Sequence, residues 1–186
     1  MKKLNVIILF IITALLGCER DDICAEGTPT TPRLIIEFYD FSNPEQLKNV
    51  VRLTAYGEGL VLDENGNPTQ PETASDATLV FNSNSNNLAL PLLVENEGTI
   101  VTTTYILENE TNLRLDNNPD TESNIDIIEI SYIPRFDYVS RACGYKSIFQ
   151  DLDINLISDD ANWITDIDVI ESTIDNENTV HVQIFH

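Results

Sequence analysis

The sequence predicts an all-β fold, an antiparallel β-sandwich of immunoglobulin-like type, and three observations predict it. Apolar and polar residues alternate with period two in one segment after another. Clusters of Asn, Asp, Gly and Pro punctuate those segments at short intervals. Beyond the N-terminal leader, the apolar residues do not fall into the 3.6-residue period of an amphipathic helix.

Taken in order, Arg33 to Tyr39 sets Leu34, Ile36 and Phe38 against Ile35, Glu37 and Tyr39. One face of this strand is therefore wholly apolar. Asn43 to Val50, with Pro44 near its start, offers room for a turn or so of helix. Val50 to Tyr56 then places Val51, Leu53 and Ala55 on one face. Leu60 to Leu62 runs into Asp63-Glu64-Asn65-Gly66-Asn67-Pro68, whose Asn-Gly pair signals a hairpin. Thr78 to Phe81, Leu88 to Leu92 and Thr99 to Leu107 follow as strands. The polar stretch Asp116 to Asn124 reads as a long hairpin loop. Asp126 to Ile133 alternates Ile128, Ile130 and Tyr132 against Ile127, Glu129 and Ser131. Ser147 to Ile157, Ile164 to Ile174 and Val180 to Phe185 complete a set of nine or ten strands.

The N-terminus carries an address. Met1-Lys2-Lys3 is basic, and Val6 to Leu16 is apolar apart from Thr13. A charged start followed by a short apolar run is a secretory signal, too short to span a bilayer. Leu15-Leu16-Gly17-Cys18 resembles the lipobox of bacterial lipoproteins. That resemblance implies cleavage before Cys18 and acylation of its thiol and new amino group. Several acyl chains would suffice for stable anchoring. The predicted organisation is a signal peptide over residues 1–17, a lipidated Cys18 with its tether over 18–32, and one sandwich domain over 33–186. Glu19 is not the aspartate that holds lipoproteins in the inner membrane, so the outer membrane is the expected location. Glu19-Arg20-Asp21-Asp22 resembles Bacteroidota surface-export tags, which leaves periplasm-facing and cell-surface orientations both open. Fully extended, Glu19 to Pro32 would reach roughly 45 Å from the bilayer.

Charge excludes some partners. Lys plus Arg number 10 against 31 Asp plus Glu, for a formal net charge of −21. Loss of Lys2 and Lys3 with the leader deepens the imbalance. Such a surface is repelled by nucleic acid and anionic lipid, so the expected bilayer contact is the anchor alone. Another envelope protein or a glycan remains as a possible partner. With 42% hydrophobic residues the chain has enough apolar mass for a core.

With Cys18 given to lipid, Cys24 and Cys143 form an even pair in an oxidising compartment, which argues for a disulfide. A reactive thiol or metal ligand is the competing reading.

Cys24 with Thr31 to Phe38, Leu90-Pro91-Leu92, Ile130-Ser131-Tyr132 and Cys143-Gly144-Tyr145 together resemble an uncharacterised Bacteroidota lipoprotein family. The resemblance implies framework positions for the two cysteines and no assigned activity. Locally, Val61 to Pro68 is similar to the hairpin of carboxypeptidase-regulatory-like sandwich domains.

Candidate chemistry is sparse. Asp63, Asn65 and Asn67 begin like an EF-hand, but Pro68 and Ala74 stand where Gly and Glu are needed. Turn sites at Asp116, Asn118 and Asp120, or at Asp151 and Asp153, remain open to calcium. His181 reads as an ordinary strand residue facing away from Val180 and Val182, and His186 as a frayed end. Trp163 reads first as half-buried core and second as a sugar platform. No catalytic residue, metal ligand or cofactor is assigned. The expected role is a non-enzymatic structural, adhesion or assembly protein of the envelope. The alternative is a secreted glycan-binding module or hydrolase using a carboxylate cluster.

Overall fold

A computed structural model describes Cys24 and residues 31–186. The predicted leader, Cys18 and most of the predicted tether lie outside the described residues. Two five-stranded sheets pack face to face. The first contains β1 (Leu34–Asp40), β2 (Asn43–Leu47), β5 (Asn87–Leu90), β9 (Asp166–Val169) and β10 (Val182–Phe185). The second runs β4 (Thr78–Ser85), β3 (Val50–Gly57), β6 (Val101–Asn109), β7 (Asn124–Ser140) and β8 (Gly144–Ile157) in that spatial order.

β1 organises the first sheet. Its start pairs with β5 and its end with β2, both antiparallel, while β10 runs parallel along the other edge. That parallel pairing departs from the wholly antiparallel expectation. It follows from bringing the last strand beside the first, Ile36 against Val182 and Tyr39 against Phe185. Leu34, Ile36 and Phe38 point into the core as their alternation requires. Opposite them lie Leu53, Leu107, Ile128, Ile130, Tyr132 and Phe149 of the second sheet, in one continuous apolar cluster.

Several expectations need correction. Asn43 to Leu47 is an edge strand, not a turn of helix. Its pairing with β1 wins over local propensity, and an exposed edge tolerates Pro44, which has no N–H to donate. In β3 the buried valine is Val50, whereas Val51 faces solvent. The register against β4 shifts at Arg52, which has φ 48°, so the alternation slips there. Similarly, Asp151 at φ 54° lets both Phe149 and Leu152 turn inward from β8. Ile164 to Ile174 is not one strand. Asp166–Val169 pairs with β10, and Ile174 then crosses to exchange backbone hydrogen bonds with Phe149 of the other sheet. A short helix, α1 (Thr111–Leu115), interrupts the all-strand expectation after β6.

Two-sheet packing accounts for β6 through β8 only in part. Val101 to Asn109 of β6 pairs with β7 as far as Tyr132. Beyond Tyr132, β7 and β8 continue as a two-stranded arm, from Ile133 opposite Gln150 to Ser140 opposite Gly144, bonded at its base to Gly98 through Pro134 and to Ile174 through Phe149. Cys143, in the turn of this arm, is disulfide-bonded to Cys24 with Cα atoms 4.7 Å apart.

Candidate functional site

Chemistry-bearing side chains inside the fold are committed to holding it together. Glu108, at the end of β6, is fully buried. Its carboxylate accepts from Arg114 Nε at 2.7 Å and Nη2 at 2.9 Å, and from Ser123 Oγ at 2.5 Å. Arg114 Nη2 also donates to the Pro71 carbonyl. One ion pair thus ties β6, α1, the loop before β7 and the excursion after β3. Asp126 is buried as well; it accepts from Ile164 N at 2.7 Å and Asn162 Nδ2 at 3.2 Å. Burial raises its pKa above the ordinary carboxylate value. Its role is to hold the turn before Ile164 against β7.

His181, read from the sequence as an ordinary strand residue facing away from Val180 and Val182, lies just before β10 and is fully buried, as Val182 is. Its backbone N–H donates to Ile35 O, and its Nδ1 accepts from Ile35 N at 2.9 Å. The imidazole therefore supplies the acceptor that a further residue of strand would have offered to β1. Burial lowers its pKa, and the same cause lowers that of His186. The unfolded chain thus takes up a proton near pH 6.5 while the fold resists it. Stability contributed by neutral His181 is full above that value and is lost as pH falls. The limiting slope is about 1.4 kcal/mol per pH unit. Urea midpoints should drop between pH 7.5 and 5.5, and less so in His181→Gln. Equal losses in both proteins would refute the assignment.

His186 is not frayed. Its backbone N–H donates to Tyr39 O, and its carbonyl accepts from Phe41 N and Lys48 Nζ. Its ring meets Trp163 edge-on, with centroids 5.6 Å apart. Trp163 is half-buried, packs on Phe38, and donates from its indole N–H to Leu107 O. A ring so engaged packs as half-buried core.

Three of the calcium candidates, Asp63, Asp116 and Asn118, hold their own turns. Asp63 Oδ1 accepts from Asn67 N and Asn65 N, both at 2.8 Å, and the bonds from Asn67 chiefly lower its pKa. Asp116 caps the Asn118 N–H and accepts from Thr121 Oγ1, and Asn118 does the same for Asp120 N. Among the described residues, no three His, Cys, Asp or Glu side chains converge as a metal site.

Of several concavities of similar size, one has the most apolar lining. A cleft of about 430 Å³ opens where β3 ends, walled by Leu60, Leu79, Leu92 and Leu93 and backed by Thr102 to Tyr105 of β6. Its floor is latched by two tyrosine hydroxyls. Tyr105 donates to Pro91 O, and Tyr132 donates to Leu93 O while sharing a 2.7 Å contact with Thr103. Burial pushes the Tyr105 phenol up to about 12. Leu60 and Leu93 are more than half exposed on the rim. A Cβ at Gly57 would come within 2.7 Å of Leu60 Cδ1, so a larger residue there would push the exposed Leu60 side chain aside.

The cleft also exposes a strand edge. Glu58 N donates to Thr104 O, so the Thr104 backbone points toward β3. Thr102, two residues along, points the same way, past the end of β3 at Gly57. Glu58 and Asp76 supply the carboxylates at this site. Sequence reading missed the cleft because its walls come from four separate segments.

Comparison with known proteins gives a family and no function. A family model described as a family of unknown function, DUF6452, matches residues 69–186. The match takes in β4 to β10 and leaves β1 to β3 outside it. Neither a curated protein nor a solved structure matches the chain.

Proposed function

From a chain that belongs to the DUF6452 family, to which no function is attached, we propose a lipid-anchored β-sandwich of the cell envelope that acts by docking rather than catalysis. The lipobox-like Leu15-Leu16-Gly17-Cys18 supports the anchor, with Cys18 as the acylated residue and the outer membrane as the location. The likeness to Bacteroidota lipoproteins belongs to the same proposal, as does the immunoglobulin-like assignment of the sandwich.

The observation that carries the docking role is the cleft beside Thr102. It joins apolar walls to a free stretch of strand edge, the two elements that recognise an extended peptide by strand addition. Its occupant is an extended, apolar segment of another envelope protein. Leucine side chains give the affinity, and backbone hydrogen bonds at Thr102 set the direction.

A glycan-binding module or hydrolase would instead use Glu58 and Asp76 in this cleft. A hydrolase screen and glycan array on the folded protein separates the two. The docking reading expects neither turnover nor sugar retention. It expects retention of apolar extended peptides that fades in Leu93→Glu. Turnover lost in Glu58→Gln or Asp76→Asn would sink it.

A further inference from the structure

Charge is distributed against the average. The whole chain carries −21, yet the arm from Ile133 to Gln150 holds Arg135, Arg141 and Lys146 against Asp137 alone. Elsewhere among the described residues the cations are Arg33, Lys48, Arg52 and Arg114. Of these, Arg33 and Arg114 sit in ion pairs with Glu177 and Glu108.

The same arm is aromatic. The core face of β7 runs outward through Tyr132, Pro134, Phe136 and Tyr138, and progressively leaves the sandwich. Tyr132 is buried, whereas Tyr138 is 59% exposed. Across from Tyr138 stands Tyr145, 63% exposed, with ring centroids 5.5 Å apart in an edge-to-face pair. A solvated hairpin gains little from presenting two tyrosines, a phenylalanine and Val139 to water. Tyrosine rings with one apolar and one polar end are suited to the headgroup layer of a bilayer.

The disulfide supplies position. Cys143 lies in the turn of the arm and is bonded to Cys24, six residues after Cys18. Six residues span roughly 20 Å at full extension. Residues beyond Cys24 lie on the protein side of the bridge and add no reach, so the tip cannot stand off by the roughly 45 Å of the whole tether. Screening decides between local and global charge. At physiological salt the Debye length is about 8 Å, so acids on the far body are largely hidden from a surface that the arm touches. The acids that count against the tip are Asp21, Asp22 and Glu26, which adjoin Cys24 in sequence.

We infer that the β7–β8 arm is a membrane-contact element whose basic, aromatic tip rests on anionic phospholipid headgroups and holds the sandwich down on the bilayer. The positional part rests on acylation of Cys18; the charge and the aromatic pair stand without it.

The test is hydroxyl-radical footprinting of the full mature protein, its Cys18 acylation first read by mass. The protein is compared on phosphatidylcholine vesicles and on vesicles with about one third phosphatidylglycerol. Oxidation of Tyr138 and Tyr145 should fall roughly threefold on the anionic vesicles and recover in Arg141→Glu/Lys146→Glu. Non-reducing mass analysis confirms that this variant keeps the Cys24–Cys143 bond. An acylated protein whose two tyrosines oxidise equally on both vesicles overturns the inference. Protection seen on intact cells but absent on vesicles also overturns it, in favour of a protein partner. If Cys18 proves unacylated, the anchor reading fails by itself. The soluble chain on anionic vesicles then decides the arm: protection sustains the inference and its absence ends it.

Discussion

Replacing Cys24 and Cys143 together by serine should lower the stability of the domain by roughly 4–5 kcal/mol. The bond closes a loop over a sequence separation of 119, and the chain-entropy model assigns a closure of that length about this much. Most of the effect lies in the unfolded state, which regains the freedom the cross-link removed. A second part is local. Only their mutual pairing and the bridge secure Ser140 to Gly144, since β6 stops at Val101 opposite Tyr132. Urea titration of the oxidised protein and the double variant measures the loss, with the slope checked to show that both unfold from equally compact states. A difference below about 1 kcal/mol would mean that the native state relaxes strain when the bond is cut, contrary to this account.

Glu108→Ala should be the most damaging single substitution in the buried polar set, at roughly 3 kcal/mol or more. Removing one member of a buried ion pair leaves the other's charge uncompensated in a poorly solvated place. Arg114 is 20% exposed, so water can reach part of its guanidinium and hold the loss to the lower end of the usual range. Ser123 Oγ loses its acceptor too. The double variant Glu108→Leu/Arg114→Met separates pair from packing. It should recover much of the stability, because apolar groups of similar size need no partner. If the double variant is as unstable as the sum of the singles, the coupling assigned to this pair is wrong.

What was legible in the sequence follows from where one period governs. In β1, Leu34, Ile36 and Phe38 face the core with nothing to disturb the alternation. β3 defeats that reading because the phase changes at Arg52, whose positive φ no alternation rule foresees. Asn43 to Leu47 lacks an apolar face, since an edge strand with both faces wet needs none. Segments that change sheets, such as Asp166 to Ile174, look like single strands because both halves are apolar at alternate positions. His181 and Glu108 were invisible as buried groups, for burial there comes from partners 146 and six positions away. The arm is different. Arg135, Arg141 and Lys146 beside Tyr138 and Tyr145 were there to be noticed in an acidic chain. A net charge summed over the whole chain concealed them.

The candidate cleft was beyond sequence reading for a geometric reason. Leu60, Leu79, Leu92 and Thr102 come together only once β3 stops short and the chain after β5 passes beneath β6. Each leucine alone reads as ordinary core.

The central claim is that this sandwich works from a lipid anchor at Cys18. Mass analysis of the protein taken from its own membranes, with the N-terminal peptide sequenced, tests it most directly. The account predicts a chain that begins at Cys18, carries acyl chains on that residue, and keeps Cys24 bonded to Cys143. A chain that retains residues 1–17, or begins elsewhere with an unmodified Cys18, would contradict it.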